Sequence, residues 1–272
     1  MLQKKKQQQF QNKMKLLIGC PIYKRDWIFP LWASALERQS VPLDEIGFIF
    51  ETSPDDLNIK NLLSAWRNSH PEIPFFEVHE RSDIAHFEHQ RNSRQWTMSK
   101  YYNMVSLRNH ILDRVREVKP EYYFSLDSDI ILKNPATIEL LINHIKEGAD
   151  AVSPLMFMTP VGVDYPSVMT WSDDEDGRAY RRRDYPLGTY FKSDVIMAAK
   201  MMSKKAYESI NYSVHSQGED LGWSLEAKKK KLGLYSASYI YALHVMHEDM
   251  LQHLAKSGDA RESILFENYI KI

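Results

Sequence analysis

Two acids one residue apart, Asp127-Ser128-Asp129, follow an aromatic and apolar run in the stretch YYFSLDSDIIL. Residues i and i+2 of an extended segment point the same way, so the two carboxylates would share one neighbourhood. Side by side they repel unless a cation lies between or beside them. A divalent ion with hard oxygen ligands, Mn²⁺ or Mg²⁺, suits such a pair, and a diphosphate would complete its shell. Placing both acids on a buried sheet is costly unless they are paired or metal-bound. The alternative is that both merely cap the following turn. The same pattern recurs at Asp174-Glu175-Asp176, inside the polar stretch WSDDEDGRAYRRRDYP, and there it reads as solvated charge. His86 and His89 stand three apart with no partner motif and read as structural.

The elements that must position the acidic pair alternate in type. Residues 15–20 (KLLIGC), 46–50 (IGFIF), 75–79 (FFEVH) and 122–126 (YYFSL) are short apolar runs that read as strands. Between them, Asp26 is expected to cap a helix in which Trp27, Ile28, Leu31, Trp32, Ala35 and Leu36 recur at helical spacing. Pro54-Asp55-Asp56 opens a second helix, and Met104, Leu107, Ile111, Val115 and Val118 mark a third that Pro120 ends. Asn134 with Pro135 starts a fourth, which Gly148 closes. Strand and helix in this order predict an α/β fold, a mainly parallel sheet with helices on both faces. Ligands of such sheets bind outside the carboxyl ends of the strands, where Asp127 and Asp129 fall.

The second half is less regular. Residues 150–156 and 195–202 are strand candidates, Ser203 caps a short helix, and a helix follows Gly218-Glu219-Asp220. Two strand-like runs then cover 232–245. The polar stretch 159–187 reads as a mobile loop and a candidate lid. No repeat or Pro/Gly-rich linker divides the chain. We expect a flexible basic tail (1–14), two halves of one domain (15–133 and 134–250) and a C-terminal extension (251–272).

Composition narrows the function classes. With 272 residues, 43% hydrophobic and 26% charged, the chain can bury a full core. A net charge of −1 is a poor footprint for a nucleic-acid binder, so a nucleic-acid acceptor is possible but not favoured. The single cysteine, Cys20, excludes an internal disulfide and a cysteine zinc cluster, and points to a reducing, cytoplasmic setting. No run approaches the ~20 apolar residues of a membrane span.

The opening LLIGCPIYKRDWIFPLWASALERQ, the acidic strand preceded by SLRNHIL, and the later run from VIMAAKMM through GEDLGWSLEA to YIYALH together resemble GT-A-fold glycosyltransferases over about residues 15 to 247. The resemblance implies a GT-A (Rossmann-like) three-layer sandwich with a smaller acceptor-side sheet, in which 15–133 is the nucleotide-binding half and 134–250 the acceptor-side half. It implies a metal-dependent hexosyltransferase moving sugar from a nucleoside-diphosphate sugar, UDP-linked by expectation, to a glycan, lipid-linked or other hydroxyl acceptor. By the same resemblance Asp129 ligates the metal, Asp127 contacts the ribose or the metal shell, and Ser128 lies between them at the nucleotide. Pro21, Tyr23, Arg25 and Glu51 frame the nucleoside, and Arg108 approaches the nucleotide. Glu219 and Asp220 could simply offset a helix dipole; the sharper reading makes Asp220 the general base and Glu219 an acceptor-orienting group. His244 and His247 both compete as third metal ligand. Positions three apart on a strand face opposite sides, and comparison with the superfamily favours His244.

Two other classes compete. A HAD-type phosphohydrolase would use Asp127 as nucleophile, but Ile131 stands where that motif wants Thr or Val. A non-catalytic nucleotide-sugar-binding module would keep the fold without turnover. A nicotinamide enzyme is disfavoured because no Gly-x-Gly-x-x-Gly is present.

Overall fold

The structure is a computed structural model that describes residues 14–82, 97–158, 162–172, 177–182 and 184–251. Its first half follows from strands that are apolar on both sides. In β1 (Leu16–Pro21) the side chains of Leu16, Ile18 and Cys20 join one core and Leu17 joins another. Such two-sided burial requires a helical layer on each face. Helix α1 (Phe29–Glu37), strand β2 (Ile46–Thr52), helix α2 (Leu57–Ser69) and strand β3 (Phe76–Glu80) come next. Helix α3 (Met98–Val118) then crosses back to strand β4 (Tyr122–Leu126). The strands lie in the order β4-β1-β2-β3, all parallel. On one face Phe29, Trp32, Phe48, Phe50 and Trp66 pack ring against ring. On the other, Ile111, Leu112 and Val115 of α3 cover Leu17, Ile49 and Tyr123.

Two expected helix starts are corrected. Helix α1 is capped at Ile28, not Asp26, because the Arg25 carbonyl accepts from both Ile28 N–H (3.1 Å) and Phe29 N–H (2.9 Å) in a turn that comes first. After the short strand β5 (Ile130–Leu132), helix α4 is Thr137–Lys146. Asn134 holds the turn before it, its Oδ1 accepting from Ala136 N–H at 2.9 Å.

The second half extends the same sheet. Strands β6 (Ala151–Met158) and β7 (Gly162–Pro166) pair with each other. Strands β8 (Met169–Trp171) and β9 (Ala179–Arg181) make a separate antiparallel ribbon, the smaller sheet. Strand β10 (Tyr190–Lys192) was not expected, and β11 (Ala199–Ser203) is shorter than 195–202. Ser203 caps helix α5 (Lys204–Ser209) by accepting from Ala206 N–H at 3.2 Å. Helix α6 (Glu219–Lys229) leads to β12 (Leu234–His244), one strand with a register shift between Ala237 and Tyr241, not two. The full order is β10-β12-β6-β11-β4-β1-β2-β3, with β11 antiparallel to both β4 and β6, and β12 parallel to β6. This is the α/β three-layer architecture expected, parallel through β4-β1-β2-β3.

The stretch 159–187 is not the structureless loop its charge suggested. Residues 159–161, 173–176 and 183 lie outside the described residues, and so do Asp174-Glu175-Asp176, His86, His89 and most of the two terminal segments. Within it, Met169, Trp171 and Ala179 bury their side chains against Val195 and Leu221. Among the described residues no helix is long and apolar enough to cross a membrane.

Candidate functional site

Asp127 leaves β4 at its carboxyl end, and the backbone of the turn is held from three sides. Trp32 Nε1 donates to the Asp127 carbonyl at 3.1 Å, Ile130 N–H donates to the same oxygen at 3.1 Å, and Val245 N–H donates to the Asp129 carbonyl at 2.8 Å. Ser128 and Asp129 are buried, at 4% and 3% exposure.

Each acid has its own arginine. Arg25, 7% exposed, directs Nη2 at Asp129 Oδ2 (2.9 Å) and Nη1 at the Met246 carbonyl (3.3 Å). Arg108, 2% exposed, donates Nη2 to Asp127 Oδ2 (2.9 Å), Nη1 to Ser125 Oγ (3.2 Å) and Nε to Glu219 Oε1 (3.1 Å). Arg108 Nη2 also stands 2.8 Å from Asp127 Oδ1, yet that oxygen lies off the N–H directions and is buried without a hydrogen bond. Burial, with Asp129 nearby, pushes the Asp127 carboxyl above its ordinary range against the pull of Arg108. Burial and the neighbouring Asp220 do the same to Glu219.

Helix α6 delivers Glu219 and Asp220 in its first turn. Gly218 precedes it at φ +129°, a conformation that favours glycine, and Gly222 lets the helix pass close to Ser213. Asp220 Oδ1 is in direct contact with Lys200 Nζ from β11. Lys200 is fully buried, with Nζ 4.8 Å from the Tyr212 ring centre and 5.2 Å from that of Trp223. Burial opposes charge on both partners. Contact with the ammonium, and Arg108 beyond it, outweighs that burial and holds the Asp220 carboxyl below the usual range.

Arg108 Nη2 lies within ion-pair distance of both Asp127 oxygens, and Arg25 Nη2 holds Asp129 Oδ2. Asp127 Oδ1 takes no hydrogen bond, and Asp129 Oδ1 faces His244 Nε2 at 3.5 Å. Ligands about 2.1 Å from one ion stand about 3–3.5 Å apart, so Asp129 and His244 have the separation of such a pair. The donor set of hard oxygens and one imidazole fits Mn²⁺ or Mg²⁺. Asp127, Asp129 and His244 do not all come within 4.8 Å of one another, however; among the described residues Glu51, His79 and His110 do. His247 lies beyond the end of β12.

The structure thus brings Arg25, Arg108, Asp127, Asp129, Glu219, Asp220 and His244 to one rim. Tyr23 and Glu51, also expected there, have partners of their own. Tyr23 OH donates to Asp55 Oδ2 at 3.2 Å, and the buried Glu51 carboxylate meets His79 and His110. Pro21 pairs in register with Glu51, whose carbonyl accepts from Ile22 N–H at 2.8 Å.

The family description "Glycosyltransferase family 25, N-terminal domain" matches residues 14–184, more than half of the chain. The chain belongs to glycosyltransferase family 25. This family 25 chain is 26% identical over 130 residues to a "Glycosyltransferase 25 family member" of Aedes aegypti, covering 47% of this chain and 21% of that protein. It is 28% identical over 123 residues to procollagen galactosyltransferase 1-A of Xenopus laevis, covering 45% and 20%. The matched stretch therefore spans about a fifth of the length of these curated relatives. Among solved structures, S. aureus TarS 1-349 with UDP-GlcNAc superposes at TM-score 0.57 and 13% identity, over 94% of this chain and 71% of TarS. The mannosyltransferase PcManGT of Pyrobaculum calidifontis, with GDP-Man and Mn²⁺, superposes at 0.54 and 12%, over 98% and 75%. These likenesses establish a GT-A fold, not that of a HAD-type phosphohydrolase.

Sequence reasoning missed Lys200, Tyr212, Ser125, His79 and His110. A sign of Lys200 was present: a single lysine inside the apolar run VIMAAKMM needs an anionic partner if that run is a buried strand. His79 carried no such sign, since its meeting with Glu51 depends on the register between β2 and β3.

Proposed function

We propose that this family 25 chain transfers a sugar from a nucleoside-diphosphate sugar to an acceptor hydroxyl, with the donor on the 15–133 half and the acceptor on the 134–250 half. The reading is supported above all by one observation. A half-buried Asp127 and a buried Asp129 at the carboxyl end of β4 share a rim with two buried arginines and a buried carboxylate–lysine pair.

Asp129 and His244 would hold a divalent ion, with Asp127, paired to Arg108, beside it. When bound, the ion neutralises charge on the departing nucleoside diphosphate. Arg108 and Arg25 supply fixed positive charge to the same group, in a site where burial strengthens every Coulomb interaction. Pro21, Tyr23 and Arg25 frame the nucleoside, and Ser128 keeps the turn narrow beneath it. Glu51 enters that frame through its carbonyl, which fixes the turn after Pro21. Asp220, kept ionised by Lys200, accepts the acceptor hydroxyl's proton as that oxygen attacks the anomeric carbon. Glu219, braced by Arg108, orients the acceptor.

UDP-sugars are the first donors to test, with galactose foremost because of the likeness to procollagen galactosyltransferases. Acceptors to offer are hydroxyl-bearing peptides, glycans and lipid-linked sugars. The assay is release of nucleoside diphosphate from a donor panel with Mn²⁺, Mg²⁺ or chelator. Metal-dependent release with one donor is expected. Binding of a donor without release, on any acceptor, would instead favour a non-catalytic module; neither binding nor release across the panel ends the proposal.

A further inference from the structure

On the same rim, two strands away from β4, three side chains converge for which the sugar-transfer reading has no use. Glu51 ends β2, His79 lies opposite it in register on β3, and His110 sits on α3. Their ligand atoms all lie within 4.8 Å of one another. His79 Nδ1 is 3.2 Å from Glu51 Oε1, and His110 Nδ1 touches the same oxygen. Two imidazole nitrogens and a carboxylate are the donors that zinc-class ions prefer, and ligands of a tetrahedral ion stand about 3.3 Å apart.

Two independent features set this cluster apart from a chance meeting of polar groups. First, the Glu51 side chain is fully buried, and its Oε2 has no hydrogen-bond partner. A buried carboxylate with an idle oxygen is expensive unless a cation uses it. Second, His79 is oriented from behind. Its Nε2 lies 3.1 Å from Glu77 Oε2, and Arg114 clamps Glu77 with Nε at 2.8 Å and Nη2 at 2.7 Å. Metal-bound histidines characteristically give their other ring N–H to a carboxylate, which fixes the tautomer and aims the free nitrogen. The His110 side chain is 44% exposed, so an ion has a route in and positions remain open to water.

We propose that Glu51, His79 and His110 form a second cation site, for a borderline transition ion of the zinc class, distinct from the oxygen-rich site at Asp127 and Asp129. It does not rest on the sugar-transfer reading. Ion binding there would cross-link β2, β3 and α3.

The test uses the untagged full chain, stripped of metal and titrated with Co²⁺ in excess Mg²⁺. Mg²⁺ fills the hard-oxygen site and competes poorly for imidazole. A visible ligand-field band saturating at one equivalent is expected, together with an upward thermal shift with Zn²⁺. His79→Ala and His110→Ala should each weaken binding by at least about tenfold, and Glu77→Gln, which leaves all three ligands in place, by about 10–100-fold. Thermal denaturation of each metal-free variant checks that it folds. The proposal is overturned if the double variant His79→Ala/His110→Ala binds Co²⁺ as the parent does. It is equally overturned if UDP displaces the ion from the parent one for one, because Glu51 would then belong to the nucleoside pocket.

Discussion

Replacing Lys200 by methionine tests the buried pair behind the rim without any assumption about substrate. Methionine keeps the apolar stem and packs well against the rings of Tyr212 and Trp223. What is lost is the charge facing Asp220, with both residues under 10% exposed. Removing one partner of a buried ion pair costs about 3–5 kcal/mol, because the other charge stays uncompensated. That is a large part of a net stability of about 5–15 kcal/mol. At about 2–4 °C per kcal/mol for a chain of this size, the melting point should fall by about 6–20 °C. The pH dependence has a definite sign. In the parent, Asp220 titrates below its unfolded value, so its contribution is present above that value and fades as pH falls through the lowered one. In Lys200→Met burial dominates, and Asp220 titrates above its unfolded value near ~3.9. The folded variant then holds the extra proton, so its deficit should shrink on going from pH 8 to pH 5. Denaturant titrations of the parent, Lys200→Met, Asp220→Asn and the double variant give the coupling energy. A Lys200→Met loss below about 1 kcal/mol, or strict additivity in the cycle, would refute the reasoning.

Three further outcomes follow from particular contacts. Asp129→Asn should reduce Mn²⁺-dependent donor turnover by about a hundredfold or more while circular dichroism stays unchanged; full retention of turnover removes Asp129 from the ion's shell. Gly222→Ala would set a Cβ 1.9 Å from the Ser213 carbonyl oxygen, so unfolding midpoints should report a loss of at least about 1–3 kcal/mol. Asp56→Ala removes the N-cap of α2, which accepts from Ile59 N–H at 3.2 Å, and the same carboxylate's bond to Lys24 N–H. A loss of about 1–2 kcal/mol is expected by urea denaturation, and no change would mean that the left-handed Lys24 holds its turn unaided.

How much of this was legible in the sequence depended on how local the signal was. Strands β1, β2 and β4 are buried on both faces, so their apolar runs stood out, and the acidic pair was found because it directly follows one of them. Strands β8, β9 and β10 are three residues each and sit among charges, too short for an alternation to register. Strand β12 looked like two runs because its register shifts at Ala237/Tyr241. Residue types at the rim were readable, but partners were not. Nothing in the sequence near Glu51 says that β3 will align His79 beside it, or that Arg25, not Arg108, will take Asp129.

The reach of Arg25 bears on how the molecule is made. Its guanidinium spans Asp129 and the Met246 carbonyl, residues 104 and 221 positions further along the chain. The parallel strands β1 to β4 are synthesised first, yet the clasp's bond to the Met246 carbonyl cannot form until that residue emerges. Val245, which supplies the N–H that grips the Asp129 carbonyl, arrives just as late. Assembly of the rim is thereby deferred until residues 245 and 246 have been made, and a nascent chain stalled before residue 245 would carry the two acids without either of these late fastenings.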